Sequence, residues 1–134
     1  MSEQSGEKSV YDICGADFFV ALVDAFYDGI ETDQVLLPMY PEGSDTVGAR
    51  HRLATFLMQY WGGPHTYMEE RGHPRLRMRH QPFVIAERER DHWLMHMARA
   101  IESTMEMIPE ESREVVVDQL AQYMVNAAEH LRNN

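Results

Sequence analysis

The chain is poor in the residues that build covalent or metal-cluster scaffolds. Its 134 residues include one cysteine, Cys14. One thiol cannot close an internal disulfide or supply a cysteine cage for zinc or an iron–sulfur cluster, and it fits a reducing compartment or indifference to redox. Lys8 is the only lysine. The opening MSEQSGEKSVYDI has no apolar stretch of the kind a secretion signal needs, and no apolar run approaches a membrane span. These absences lead us to expect a cytoplasmic protein without stable membrane insertion. There is no Gly-rich phosphate loop, GxSxG, HExxH, CxxC or EF-hand pattern. No carboxylate pair sits in an apolar setting that would mark an acid–base dyad. Twelve basic residues against 22 acidic ones give a formal net charge of −10. That argues against nucleic acid as a partner, because phosphate contacts need a basic face.

What is present reads as one all-α domain. Phe18, Leu22, Ala25, Phe26 and Ile30 recur at helical spacing and predict a helix from about residue 16 to 31. A short helical piece over 33–37 is expected to stop at Pro38. Ser44 and Asp45 are N-cap candidates for a helix over about 45–61, with Ala49, Leu53, Phe56, Leu57 and Tyr60 on its apolar face. Short turns of helix are expected from Pro64 through Glu70 and from Arg75 to His80. The longest pattern, 85–108, puts Trp93, Met97, Ala100, Ile101, Thr104, Met105 and Ile108 on one face and ends at Pro109. A last helix over about 111–131 carries the stripe Val116, Leu120, Tyr123, Met124, Ala127 and Leu131. No β alternation, repeat or domain boundary interrupts this order. Residues 1–10 read as a flexible N-terminal tail and 11–134 as the folded domain.

The stretch 59–83, QYWGGPHTYMEERGHPRLRMRHQPF, breaks the helical pattern. It holds three of the six prolines, three of the eight glycines and three of the seven histidines. Arg71, Arg75, Arg77 and Arg79 fall within nine residues of one another. In an acidic chain, such a basic insert is suited to a small anion held between apolar helices. His80 could be a buried histidine satisfied by a carbonyl, the usual fate of a lone histidine, or an axial metal ligand. The arginines shift the balance. Haem is a flat apolar disc with two carboxylates at one edge, and it needs an apolar slot, one axial ligand and cations at the rim. Arg52 and the Tyr67 hydroxyl could reach the same rim. An arginine run is more commonly a solvated face. His92 and His96 stand i, i+4, a spacing that can grip zinc, but no third ligand accompanies them. They read as solvent-facing or interface histidines. Tyr27, Tyr40 and Trp93 are core aromatics on the bland reading and hydrogen-bond donors around a ligand on the sharp one.

The run quoted above, together with FY at the end of the first long helix, MYPE in the loop and ERDHWL on the long helix, resembles the group II truncated haemoglobins of actinobacteria over about residues 10–131. The resemblance implies a two-over-two helical sandwich, the truncated globin fold, with one haem b (iron protoporphyrin IX). It implies His80 as proximal ligand of a five-coordinate iron and Tyr27, Tyr40 and Trp93 as distal donors. Ala49 stands where ordinary globins carry a distal histidine, and Leu53 is an apolar distal wall residue. Arg52, Phe56, Tyr67 and Arg79 are the implied haem contacts. Gly62-Gly63 matches the family's glycine corner. The other family glycine pair reads Cys14-Gly15 here, which puts the geometry of the first turn in doubt and not the haem site.

The chemistry agrees with that transfer. O2 on ferrous haem draws superoxide-like charge, and indole N–H and phenol O–H donors in a dry pocket would stabilise it. Two or three donors predict slow O2 release, so tight binding is favoured over oxygen transport. The same donors suit a peroxidase or a nitric oxide dioxygenase, with NO, CO or peroxide as further ligands and a reductase as partner. A homo-oligomer is left open by these residues. A haem-free helical interaction module, docking through the basic segment, is the alternative from another class.

Overall fold

The computed structural model describes residues 8–40, 45–80 and 83–134, and no strand occurs among them. The first helix, α1 (Val10–Cys14), starts where Ser9 and Asp12 cap each other: Ser9 Oγ accepts the Asp12 N–H at 3.0 Å and the Asp12 carboxylate accepts the Ser9 N–H at 3.3 Å. Of the tail expected over 1–10, residues 1–7 lie outside the described residues, and Ser9 and Val10 already belong to this helix and its cap. The Tyr11 N–H donates to the Trp61 carbonyl at 3.0 Å, which ties α1 to the corner after α3 (Val47–Tyr60). Gly62 turns that corner at φ 103°, and a Cβ there would stand 2.5 Å from the Ser9 side chain. Only glycine satisfies both conditions.

Helix α2 (Ala16–Ile30) buries Phe18, Leu22, Phe26 and Ile30 as the periodicity predicts, and also Phe19, Val23 and Tyr27. The helical piece expected over 33–37 does not form. Asp33 Oδ1 accepts the N–H groups of Val35 and Leu36 at 2.8 and 3.2 Å, so the side chain takes donors a helix start would have used. A 3₁₀ turn, Leu37–Met39, follows and contains Pro38 instead of stopping before it. Proline is tolerated there because the first helical positions have no use for its missing N–H.

At the start of α3, Ser44 lies outside the described residues, and Asp45 Oδ1 takes the Val47 N–H at 3.4 Å. Thr46 ties the helix sideways: its hydroxyl donates to Glu31 and accepts from Arg50 Nε. The Arg50 guanidinium reaches Asp24, Asp28 and Glu31 at 3.1, 2.9 and 2.9 Å, linking α3 to α2. Tyr60, expected on the apolar face, is 53% exposed, because α3 ends there and the ring leans outward onto Tyr123.

Two short helices follow, α4 (Thr66–Arg71) and α5 (Leu76–His80). The long pattern becomes α6 (Glu87–Thr104) with a 3₁₀ turn, Met105–Met107, at its end. Ile108, next to Pro109, is forced into an extended conformation, so the α-helix ends earlier than its apolar face does. Helix α7 (Glu110–Leu131) buries Val116, Leu120, Met124 and Ala128, so its seam at the far end runs through Ala128 instead of Ala127. Helix α2 packs on α3 and α6, and α6 packs on α7. This is the all-α, two-over-two sandwich, with Phe18, Phe26, Ile30, Met97, Ile108 and Leu120 fully buried at its centre. No helix among the described residues is long and apolar enough to cross a membrane.

Helices α2 and α6 come close at Gly29, where a Cβ would stand 2.4 Å from His96 Nδ1. A Gly29→Ala change gains about 1 kcal/mol in helix propensity and costs roughly 1–3 kcal/mol in overpacking. The ring cannot yield freely, because its other nitrogen is hydrogen-bonded to Asp33. Net destabilisation is expected, read as a lower urea midpoint at neutral pH; an unchanged or higher midpoint contradicts it.

Candidate functional site

A cavity of about 400 Å³ opens between α3, α6 and the segment around α5. That volume lies within the range of small-molecule sites. Helix α3 contributes Ala49, Arg52, Leu53 and Phe56 to its wall, the end of α2 gives Tyr27, and the loop after the 3₁₀ turn gives Tyr40. Tyr67 comes from α4, Arg79 and His80 from α5, and Trp93 from α6. The ten residues that the resemblance assigns to the haem and its ligand therefore line one cavity. Sequence reasoning missed Leu36, Met39, Phe83, Ile85, Ala128 and Leu131, which complete the apolar wall, and the charged Glu89 and Arg90; Arg71, which also lines it, belongs to the arginine run singled out above. Leu131 lies on a predicted stripe, but nothing in the pattern says that this part of the stripe faces a cavity.

The three donor-bearing rings form a connected group. Tyr27 and Tyr40 meet edge to face with centroids 5.5 Å apart. Phe26 stands between Tyr27, at 5.1 Å, and Trp93, at 5.4 Å. Burial, then the neighbouring Tyr40, pushes the Tyr27 phenol well above its ordinary range, and burial pushes Tyr40 up to about 12. Both phenols therefore keep their protons at neutral pH and remain able to donate.

His80 is half-buried at the end of α5, and its carbonyl accepts the Phe83 N–H at 3.0 Å. The segment after it is fastened by the chain's penultimate residue. Asn133 exchanges hydrogen bonds with the Ile85 backbone, both 2.9 Å, and its amide donates to the Phe83 carbonyl at 2.8 Å. Before His80, Arg79 closes the turn: its Nε donates to the Pro74 carbonyl at 2.7 Å and its Nη2 to the Arg71 carbonyl at 3.0 Å. The expected cationic rim is thus more varied than the arginine run implied. Arg52, Arg71 and Arg79 line the cavity, Arg75 is exposed and outside its wall, and the Arg77 side chain lies outside what is described. The wall also holds an anion. Glu89 is buried and accepts the Ala86 N–H at 3.0 Å, and that bond holds its carboxyl below the usual carboxylate range against the opposing effect of burial.

His92 and His96 correct their sequence reading. They are not two solvent-facing rings: both point at Asp33 Oδ2, His92 Nδ1 at 2.9 Å and His96 Nε2 at 2.7 Å, and His96 is buried. An ionised carboxylate only accepts, so each ring presents an N–H at that nitrogen. No group of three or more metal-ligating side chains stands ready for a bare ion among the described residues. Burial alone would raise the Asp33 carboxyl. The bonds from His92, His96 and the backbone of Val35 and Leu36 outweigh it and hold the carboxyl well below the usual range.

This wall suits a flat apolar group with acidic substituents. It is mostly aliphatic and aromatic, it carries one imidazole, His80, and it holds arginines at more than one point. The haem implied by the resemblance fits that donor set.

Comparison with known proteins agrees. A model of the bacterial-like globin family matches residues 9–126. The group 2 truncated hemoglobin YjbI of Bacillus subtilis (strain 168) is 38% identical over 122 residues, covering 89% of each chain. The thermostable hemoglobin of the actinobacterium Thermobifida fusca superposes with a TM-score of 0.85 at 46% identity, over 94% of this chain and 98% of that one. The truncated oxygen-avid haemoglobin from Bacillus subtilis does so with a TM-score of 0.83 at 33% identity, over 94% and 100%.

The Asp33 cluster predicts an acid-sensitive junction between the segment after α2 and α6. A carboxyl lowered by folding contributes stability above its unfolded pKa of about 3.9 and loses it as pH falls toward the lower folded value. Asp33→Asn should therefore be less stable at neutral pH by roughly 2 kcal/mol, from weakened hydrogen bonds to a charged acceptor. Its stability should also decline less steeply than the parent's below about pH 4. Urea midpoints across pH measure both; parallel curves for the two proteins would contradict the assignment.

Proposed function

The chain belongs to the bacterial-like globin family, as a haem- and oxygen-binding globin, and we propose that it binds O2 reversibly and tightly. In this reading His80 is the proximal ligand of a five-coordinate haem iron, and Tyr27, Tyr40 and Trp93 donate to the ligand. The carrying observation is that one cavity collects the only imidazole of its wall together with two protonated phenols and an indole. When bound, the haem iron supplies the centre at which a diatomic ligand is taken up.

The chain's own residues supply the rest. Leu53, Phe56 and Ala49 keep the wall apolar, and Ala49 leaves room where a larger side chain would intrude. Trp93 Nε1–H and the hydroxyls of Tyr27 and Tyr40 offer hydrogen bonds to negative charge developing on O2, in surroundings where such bonds are stronger than in water. Arg52 and Arg79 are proposed to meet the carboxylates of the cofactor, with Tyr67 beside them. Arg79 does so with a guanidinium already held by two backbone carbonyls, so its position is preset. The oxygen avidity named for the Bacillus subtilis haemoglobin is consistent with such donors.

The same donors favour a second reading, a haem-dependent peroxidase or nitric oxide dioxygenase drawing on a reductase. Turnover with peroxide, or nitrate formed from the oxygenated protein and NO, separates it from binding alone.

Two variants test the first reading. His80→Ala should release or misligate haem, seen as loss or displacement of the Soret band; a parent-like spectrum refutes the ligand assignment. Trp93→Phe removes one donor, worth roughly 1.5–3 kcal/mol to a charged acceptor. That should speed O2 dissociation by about one to two orders of magnitude in stopped flow. An unchanged off-rate would reduce Trp93 to packing.

A further inference from the structure

A second cavity, of about 270 Å³, lies between α2 and α6 and shares no lining residue with the first. Ala25, Gly29 and Ala100 supply the apolar part of its wall; Thr32, His96, Arg99 and Ser103 supply the polar part. No carboxylate is among these residues, in a chain whose formal net charge is −10. Arg99 is exposed and makes no ion pair or hydrogen bond among the described residues. Arg50, Arg90 and Arg113, by contrast, are each held by two or more acceptors. His96 is 93% buried, and its Nε2 is committed to Asp33. Its other nitrogen, Nδ1, has no partner among the described residues. A Cβ at Gly29 would stand 2.4 Å from that atom, so it is the glycine that leaves Nδ1 uncovered on this side. The two hydroxyls are weakly engaged: Thr32 donates to the Gly29 carbonyl and Ser103 to the Ala100 carbonyl, both at 3.1 Å. Each can turn instead to a charged oxygen, which is the stronger acceptor.

We propose that this second cavity is a binding site for a phosphate group, free or on a small monoester, held by the Arg99 guanidinium, the Thr32 and Ser103 hydroxyls and Nδ1 of His96. A planar guanidinium suits two phosphate oxygens at once. The cavity is several times the roughly 30 Å³ that one water occupies in the liquid, so a small organic substituent also fits, against Ala25 and Ala100. His96 and the phosphate share one proton. Asp33 already fixes a proton on Nε2, so a neutral ring offers a lone pair at Nδ1 and accepts the O–H of a monoprotonated phosphate. A ring protonated at both nitrogens donates to the phosphate instead. Its positive charge then lies between the Asp33 carboxylate and the bound anion and attracts both. Occupancy of the site thereby bears on the Asp33 clamp through a single imidazole. The proposal stands independently of what the larger cavity holds.

The experiment uses the full chain, loaded with haem and saturated with CO so that the arginines of the first cavity are occupied. Inorganic phosphate and, separately, phenyl phosphate are titrated in by calorimetry. Long-range proton–nitrogen NMR spectra follow the assigned ring nitrogens of His96 and His51, an exposed histidine outside the cavity. Saturable one-to-one binding is expected, with Nδ1 of His96 shifting in step with occupancy and His51 unmoved. A tighter phenyl phosphate identifies a monoester as the better ligand; equal affinities identify the phosphate group alone. Arg99→Gln, a change at an exposed position, should weaken binding by about one to two orders of magnitude, the loss of charge-assisted hydrogen bonds. Arg99→Lys should fall between that variant and the parent. Ser103→Leu, which fills the cavity from an exposed position, should abolish binding at an unchanged urea midpoint. Three results would each overturn the proposal: no saturable heat from the parent at millimolar phosphate, parent-like affinity in Arg99→Gln, or binding that leaves His96 Nδ1 unshifted.

Discussion

Asp33 receives ring N–H groups from His92 at 2.9 Å and His96 at 2.7 Å through one carboxylate oxygen, and two backbone N–H groups through the other. The arrangement joins the segment leaving α2 to the middle of α6. It thereby sets three cavity-lining groups relative to one another. Tyr27 is one turn before the end of α2, Tyr40 follows seven residues after Asp33, and Trp93 is adjacent to His92 on α6. A buried carboxylate is costly unless its acceptor sites are filled, and here both oxygens are engaged. The close approach of Gly29 to His96 lets the helices come near enough for the histidine to reach. Glu31 and Arg50 extend the same clamp to α3, with the Arg50 guanidinium carbon 5.8 Å above the Tyr27 ring.

The other side of the cavity is built differently. Its helices are a turn or two long, too short to be stable by themselves. They are held by side chains that satisfy backbone groups of loops. Arg79 caps the carbonyls of Arg71 and Pro74, and Asn133 fastens Phe83 and Ile85. Arginine's planar fork suits such dispersed carbonyls. An arginine run next to the histidine therefore serves two ends in this fold: part of it holds the chain that presents His80, and part of it faces the cavity. An acidic chain can in this way keep a locally cationic pocket without a basic surface.

Helix positions were legible where apolar spacing was long and regular. The seams of α2, α6 and most of α7 follow the 3.6-residue period because each buries a single stripe in a shared core. Legibility failed where a side chain replaced the backbone's usual partner. Asp33 turned an expected helix into an Asx turn, and Pro38 opened a 3₁₀ segment it had been expected to stop. Thr46, placed like a cap, bonded sideways to Glu31 and Arg50 instead. His92 and His96 were misread because their partner lies some sixty residues away in the chain, and periodicity reports only a residue's own helix. Asn133 carried no motif at all, and Glu89, though it opens the ERDHWL run, carried no signal of facing the cavity.

By itself, the amino-acid order determined an all-α domain, the break between 59 and 83 with His80 and its arginines, and, through family motifs, the ten residues that prove to share a cavity. Those are local or pattern properties: residue type, spacing and short motifs persist in the unfolded chain. Only the tertiary structure decided which arginines face inward, that Tyr60 leans out onto Tyr123, and that one carboxylate, Asp33, gathers His92 and His96. Each of those depends on distances between segments far apart in sequence, set when α2 closes on α3 and α6, α6 packs on α7, and desolvation drives buried polar groups to find partners.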